Sequence, residues 1–272
     1  MYFYFRFMAS VISMFSFTAI DVLSEIIGSI IYVSGNWRIR AIDGNLRAIG
    51  ARNYSLRKIF VNMTKNHFEL IKLYRMKPQK LKEITKLEGY KNIESLKNNS
   101  FIMTGHCGNW DAAPNYIYAE GIKSCTIAEY KNVNKEMYRV LDMFRGAHGM
   151  IIYPLEDAAT PLKFRDRIKE GYTPFILIDR DITKTGISVK IRDKTLRIPK
   201  GPFFFAKKTS SRMVTGGFFR CDSRRYRFKI ILNDLGVIDE IESGAQKAID
   251  SLFEIIRNEC EQWYAFDLNW EK

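Results

Sequence analysis

The 272-residue chain has only three histidines, His67, His106 and His148, so any imidazole chemistry has few candidates. His106 lies in Gly105-His106-Cys107-Gly108-Asn109-Trp110-Asp111, which offers a base, a carboxylate and two glycines in one short stretch. On a continuous helix, positions five apart are rotated by about 140° from each other, so His106 and Asp111 need a bend between them in order to meet. Gly105 and Gly108 permit that bend, and Asp111 followed by Pro114 suits the opening turn of a helix. The expectation is that His106 folds back onto the Asp111 carboxylate. Free backbone N–H groups at Gly108 and Asn109 would then point into the same space as an oxyanion hole. A base, its orienter and an oxyanion hole are the parts of an acyl-transfer site whose nucleophile comes from the substrate. Cys107 adjoins the base, but neighbours on an extended loop point in opposite directions, so it is expected to pack in the core. His67, in a helix of mixed pattern, and His148, beside Gly149 at a helix end, read as structural.

The elements that must hold this loop follow from the hydrophobic pattern. Beyond residue 91, short apolar runs predict strands over 101–104, 124–128, 150–153 and 174–178, separated by helical patterns over 111–120, 134–147 and 158–169. That alternation is the mark of βαβ units around a largely parallel sheet, and it puts His106 where a strand stops and a helix starts, the place where open α/β sheets bind ligands. A hairpin over 187–198, strands over 213–220 and 226–232, and a helix over 240–259 complete the pattern. Upstream, helices are expected over 37–49 and 55–76, the second ended by Lys77-Pro78. The expected fold is an αβα sandwich with a central, largely parallel mixed sheet, residues 81–272, preceded by an N-terminal helical region, residues 1–80.

Charge and composition bound the partners. With 46% hydrophobic residues the chain can build a core, and 43 Lys+Arg against 30 Asp+Glu give a net charge of +13, which favours an anionic partner. Residues 181–229 hold fourteen basic side chains against three acidic ones, while 230–272 hold three against ten. Phe218, Phe219 and Tyr226 lie in the basic segment, but no nucleic-acid-binding module surrounds them, so no nucleic-acid partner is expected. Four cysteines without C-x-x-C spacing read as free thiols, and no metal site is expected. The uncharged run 7–20 falls short of the roughly 20 apolar residues of a spanning helix. Ser10, Ser13, Asp21 and Ser24 form a polar stripe with apolar residues around the rest, which fits either a helix lying in a membrane interface or one packed on the core. No small-x-small cleavage site follows that would mark a secretory signal.

Taken together, the motifs resemble the glycerolipid acyltransferase superfamily with its HX4D motif, here His106 to Asp111. Within it they resemble the branch of lipid A lauroyl/myristoyl and phosphatidylinositol mannoside acyltransferases. The resemblance runs through Asn45-Leu46-Arg47, the His106 motif, Ala128-Glu129, Arg145-Gly146, Asp179-Arg180-Asp181, Ile198-Pro199-Lys200-Gly201-Pro202 and Gln262-Trp263-Tyr264-Ala265-Phe266. It implies a peripheral enzyme on the cytoplasmic membrane face that moves a fatty acyl group from acyl-CoA or an acyl carrier protein to a hydroxyl of a glycolipid or phospholipid. No cofactor beyond the thioester donor is implied. By this resemblance His106 is the general base on the acceptor hydroxyl, and Asp111 orients it and offsets the imidazolium charge. Glu129, Arg145, Asp179, Arg180 and Asp181 would line the acceptor headgroup site, with either aspartate able to act there. A coenzyme phosphate, a carrier protein's acidic surface and an anionic lipid would each account for the basic segment. The competing reading keeps the fold and drops the reaction: a glycolipid-binding or membrane-organising protein.

Overall fold

The computed structural model describes residues 2–35, 37–90, 93–97, 99–131, 135–146 and 149–271. His148 lies outside them. In chain order the elements are α1 (Tyr2–Ser13), α2 (Phe17–Val33), α3 (Trp37–Ile49), α4 (Leu56–Leu73), α5 (Pro78–Glu83), β1 (Thr85–Glu88), β2 (Ser100–Thr104), α6 (Ala113–Ala119), β3 (Ser124–Ala128) and α7 (Lys135–Arg145). They continue with β4 (Ile151–Pro154), α8 (Thr160–Lys169), β5 (Thr173–Leu177), β6 (Ile187–Ile191), β7 (Lys194–Ile198), α9 (Gly201–Lys208), β8 (Arg212–Arg220), β9 (Phe228–Val237), α10 (Ile241–Asn258) and β10 (Asn269–Trp270).

Seven strands form one sheet in the order β1-β9-β8-β2-β5-β3-β4, parallel except where β9 runs antiparallel to β8. A second sheet, β10-β7-β6, is antiparallel. Every residue of β2 is buried, which is why the central strand reads as a continuous run with no polar face. Its alternation still assigns faces. Phe101 and Met103 pack with α3, α8, α9 and α10, while Ile102 packs with α4, α6 and α7, so helices cover both faces as the αβα expectation requires. The four crossing strands β2, β5, β3 and β4 end on one edge, where His106, Asp179, Glu129 and Leu155 follow them.

Four elements were not legible as such. Lys77-Pro78 does not simply end a helix, because α4 has already stopped at Leu73 and Pro78 opens α5. Strands β1 and β10 are too short to show a period, and α9 is hidden in Gly-Pro-Phe-Phe-Phe. The N-terminal segment is two helices rather than one, bent by 117° at a break where Ser16 caps α2 by accepting the Ala19 N–H at 3.1 Å. Among the described residues no single helix is long and apolar enough to cross a membrane.

The orientation of α2 is unusual. Its polar stripe faces inward: Ser24 is fully buried, and Asp21 binds Arg227 and Lys65. Gly28 permits this close approach, since a Cβ there would collide with the Val61 backbone of α4. Val22, Ile26, Ile30 and Val33 are left exposed, together with Phe7 and Met14 before them.

Candidate active site

The loop after β2 is shaped by its two glycines. A Cβ at Gly105 would sit 2.8 Å from Asp179 Oδ2, so only glycine lets that carboxylate approach the chain. Gly108 has φ +58°, and a Cβ there would collide with the Phe218 carbonyl. Past a bend at His106, Cys107 and Gly108 run extended. Cys107 bridges to Trp263 and Gly108 to Phe218, so the loop is sewn between β8 and the C-terminal segment.

The strand ends decide which carboxylate meets the histidine. Parallel pairing ends at Thr104 and Leu177, with Ile178 N donating to Thr104 O at 2.8 Å, and the two chains leave their strands side by side, so His106 and Asp179 each follow two residues after a paired residue. The Asp179 carboxylate accepts from His106 N at 2.8 Å, lies 2.8 Å from His106 Nδ1, and accepts from Trp263 Nε1 at 3.0 Å. Asp179 is fully buried. Burial alone would push its carboxyl up, but the His106 ring and the hydrogen bonds from His106 and Trp263 outweigh it and hold the carboxyl below the usual range. The other ring nitrogen, Nε2, has no partner among the described residues, and the Trp110 ring stands edge-on to the imidazole at 5.4 Å between centroids.

The expected His106–Asp111 pair does not form. The chain bends at His106 and again at Asn109 without returning Asp111 to His106, and Asp111 instead accepts from Arg145 Nε at 2.7 Å. The partner of His106 is Asp179, expected in the headgroup site. The expected oxyanion hole is corrected as well, because Gly108 N donates to Gln262 O at 2.6 Å and Asn109 N to Phe218 O at 2.7 Å. The N–H groups of the next two residues, Trp110 and Asp111, have no acceptor among the described residues. Cys107 packs inward as expected: it is wholly buried, and burial, with the Asp179 charge, pushes its thiol up to about 12.

A cleft of about 500 Å³ opens over this edge. His106, Asp111, Glu129, Arg145, Arg180 and Asp181 all line it, whereas Asp179 stands behind His106. Asp181 is tied locally, accepting from Thr183 N, Thr183 Oγ1 and Gly186 N, so it shapes the wall. Arg180 pairs with Asp267 at 3.2 Å. Lys200 also lies on the wall. Deeper walls are apolar, with Phe101, Ile127, Phe164, Ile176 and Phe205. Phe101 lies near the start of β2, so the cleft runs from the His106 edge inward along that strand.

Several residues to which the sequence assigns no role support the loop. Gln262 takes the Gly108 N–H on its carbonyl and brackets Arg220 with its side-chain amide, while Tyr264 N donates to His106 O at 2.8 Å. Asn45 Nδ2 donates to Ala265 O at 2.7 Å and its Oδ1 accepts from Trp270, anchoring the same segment to α3. Asn66 of α4 carried no signal. Its amide donates to Gly108 O at 2.5 Å, its carbonyl accepts from Asn109 Nδ2, and its Oδ1 accepts from Arg220. Among the described residues no group of three or more His, Cys, Asp or Glu side chains is placed to hold a metal ion.

Residues 8–272 match the family described as bacterial lipid A biosynthesis acyltransferase. Phosphatidylinositol mannoside acyltransferase of Mycobacterium tuberculosis is 26% identical over 111 residues, 40% of this chain and 35% of that protein. The protein of the same name from Mycolicibacterium smegmatis is 26% identical over 108 residues, 39% and 35% of the two chains. The matched segment thus spans about a third of the length of these relatives. The family match, by contrast, covers nearly every residue and contains the whole loop, its buried aspartate and the C-terminal clamp, so this chain belongs to the bacterial lipid A biosynthesis acyltransferase family.

Proposed function

We propose that this protein is a membrane-associated O-acyltransferase that moves a fatty acyl group from a thioester donor, acyl-CoA or an acyl carrier protein, to a hydroxyl of a glycolipid or phospholipid. One observation carries the reading: a histidine clamped at Nδ1 by a fully buried aspartate lines a cleft with a charged mouth and an apolar floor. With Asp179 ionised, Nδ1 carries the proton and Nε2 presents a lone pair. Nε2 takes the proton of the acceptor hydroxyl while that oxygen attacks the thioester carbonyl. Collapse of the tetrahedral intermediate breaks the C–S bond, and the imidazolium returns its proton to the departing sulfur, so the products are an ester and a free thiol. Asp179 offsets the transient imidazolium charge.

With the N–H groups of Gly108 and Asn109 occupied, the oxyanion falls to those of Trp110 and Asp111. Glu129, Arg145, Arg180 and Lys200 suit a headgroup bearing hydroxyls and phosphates, and the apolar floor suits the acyl chain. The exposed apolar side of α2 and the net charge of +13 support peripheral attachment to an anionic cytoplasmic leaflet. The test is thiol release from an acyl thioester with and without a glycolipid. A positioned hydroxyl should raise release by about 10² or more over adventitious water. Equal release in both arms would make the protein a thioesterase, and none with any acceptor would make it a binding protein.

A further inference from the structure

A second cleft, of about 690 Å³, lies over the other half of the same sheet edge, beyond β8 and β9. Its walls come from α2, the segment before α4, α4 itself, the end of α10 and the β8–β9 turn. Eight arginines and lysines line it against four carboxylates. Most of these charges are matched. Arg57 binds Glu25, Lys58 binds Glu261 and Lys229 binds Glu259, while Arg220 and Arg227 bind Glu69 and Arg227 and Lys65 bind Asp21 from behind the wall.

Two guanidiniums are left without a carboxylate among the described residues, Arg52 and Arg257. Both line the cleft, and Arg257 Nη1 donates to Ile49 O at 3.4 Å, three residues before Arg52 in the chain. Arg220, also on the wall, is committed to the protein, since its terminal nitrogens donate to Asn66, Glu69, Asn62 and Tyr264 and its Nε has no exposed surface. Asp222 is the lining carboxylate without a cation among the described residues, so Arg52 and Arg257 still leave the cavity net positive and suited to an anion with several acceptor oxygens.

We propose that this cleft binds the phosphate of a lipid headgroup, distinct from the acyl-transfer cleft. The lipid is favoured over a soluble phosphate by position. Glu25 on the cleft wall is followed on α2 by exposed Ile26 and then Ile30, so a phospholipid leaning its chains on that apolar side can place its phosphate on Arg52 and Arg257. This placement rests on the membrane attachment proposed above; the cleft's affinity for a phosphate group does not rest on the acyl-transfer chemistry.

The test measures binding of a short-chain phosphatidylglycerol, kept monomeric, to the full chain, with coenzyme A and inorganic phosphate in parallel. Monomeric lipid removes the membrane surface potential that any cation would feel. Arg52→Gln with Arg257→Gln should weaken phosphatidylglycerol binding by about tenfold or more, the scale of two charge-assisted contacts. Lys190→Gln with Lys208→Gln, which removes the same charge from β6 and α9, should change it by less than about twofold. Both arginines are exposed, so folding is preserved, and Arg52→Lys with Arg257→Lys should restore part of the affinity. Unchanged binding in the double glutamine variant overturns the site. Coenzyme A or inorganic phosphate binding as tightly, with the same loss in the variant, overturns the lipid. Because binding is read without turnover, this result stands or falls apart from the acyl-transfer reading.

Discussion

His106 and Asp111 stand at opposite ends of one loop, and each is matched to an ionic partner from another element. Asp179, fully buried, receives three hydrogen bonds, two of them from His106 itself. Asp111 and Arg145 keep 20% and 22% of their side chains exposed and meet inside the cleft. In the first pair only the carboxylate is shielded from substrate, and it fixes the ring that faces the cleft; the second pair is wholly within reach of substrate and can exchange its bond for one to a ligand. Breaking a buried pair leaves an uncompensated charge, at a cost of about 3–5 kcal/mol, whereas a partly exposed pair contributes about 1 kcal/mol or less. Two carboxylates near one histidine therefore have separable roles, one in orienting the base and one in shaping the headgroup site.

The largest effect should come from the buried pair. Asp179→Asn removes the charge and leaves the wrong ring tautomer, so turnover should fall by about 10²–10⁴, and His106→Ala should match it with no further loss in the double variant. Thiol release with saturating acceptor measures this. Near-wild-type turnover in a folded Asp179→Asn protein would dissolve the distinction between the two carboxylates.

Next in size is the exposed pair. Asp111→Asn and Arg145→Gln should act mainly on KM for the acceptor, by about tenfold, with kcat reduced less than in Asp179→Asn. The double variant should cost less than the sum of the singles, since each removes the same bond. If Asp111→Asn eliminated kcat as fully as Asp179→Asn, Asp111 would belong to the base after all.

Acidity separates the pairs a third way. The Asp179 carboxyl is held below its ordinary value, so its contribution to stability is fully present above the unfolded-state pKa of about 3.9 and is lost as pH falls through the lower folded value. Melting temperature should decline as pH drops below about 4, and Asp179→Asn should flatten part of that decline. Asp21, also held low by Arg227 and Lys65 against its burial, accounts for another part. An Asp179→Asn protein whose melting curve follows the wild-type slope would place the acid sensitivity elsewhere.

Where the sequence was legible, the reason was local. The apolar run Phe101–Met103 within β2, the alternating hairpin β6–β7 and the periodic face of α10 can each be read within one window, and the His106 loop lies between a strand and a helix that both announce themselves. The partner of His106 is 73 residues away, and it is chosen by the strand order and by the Thr104–Leu177 register, which no local spacing encodes. Asn66, Gln262 and Tyr264 act on the loop through amide and main-chain contacts that leave no pattern in the chain. The direction of α2 was open for a related reason: a polar stripe is visible in sequence, but which side faces the protein depends on Arg227, which binds Asp21 from 206 residues away.

The smallest effect is expected beside the base itself. Cys107 adjoins His106 and would be the natural nucleophile if acyl transfer proceeded through the enzyme. Its side chain is fully buried, and a thiol pushed up to about 12 is protonated at neutral pH, so it is neither accessible nor a thiolate. Cys107→Ser keeps the volume nearly constant and adds a buried hydroxyl, costing about 1–3 kcal/mol if that hydroxyl goes unpaired. The melting temperature should drop by a few degrees, roughly 2–4 °C per kcal/mol for a chain of this size. Turnover should stay within about an order of magnitude of wild type, because no step passes through sulfur. Mass spectrometry after rapid quench should find no acyl group on Cys107, and an acylated peptide containing it would replace the direct-transfer mechanism with a two-step one.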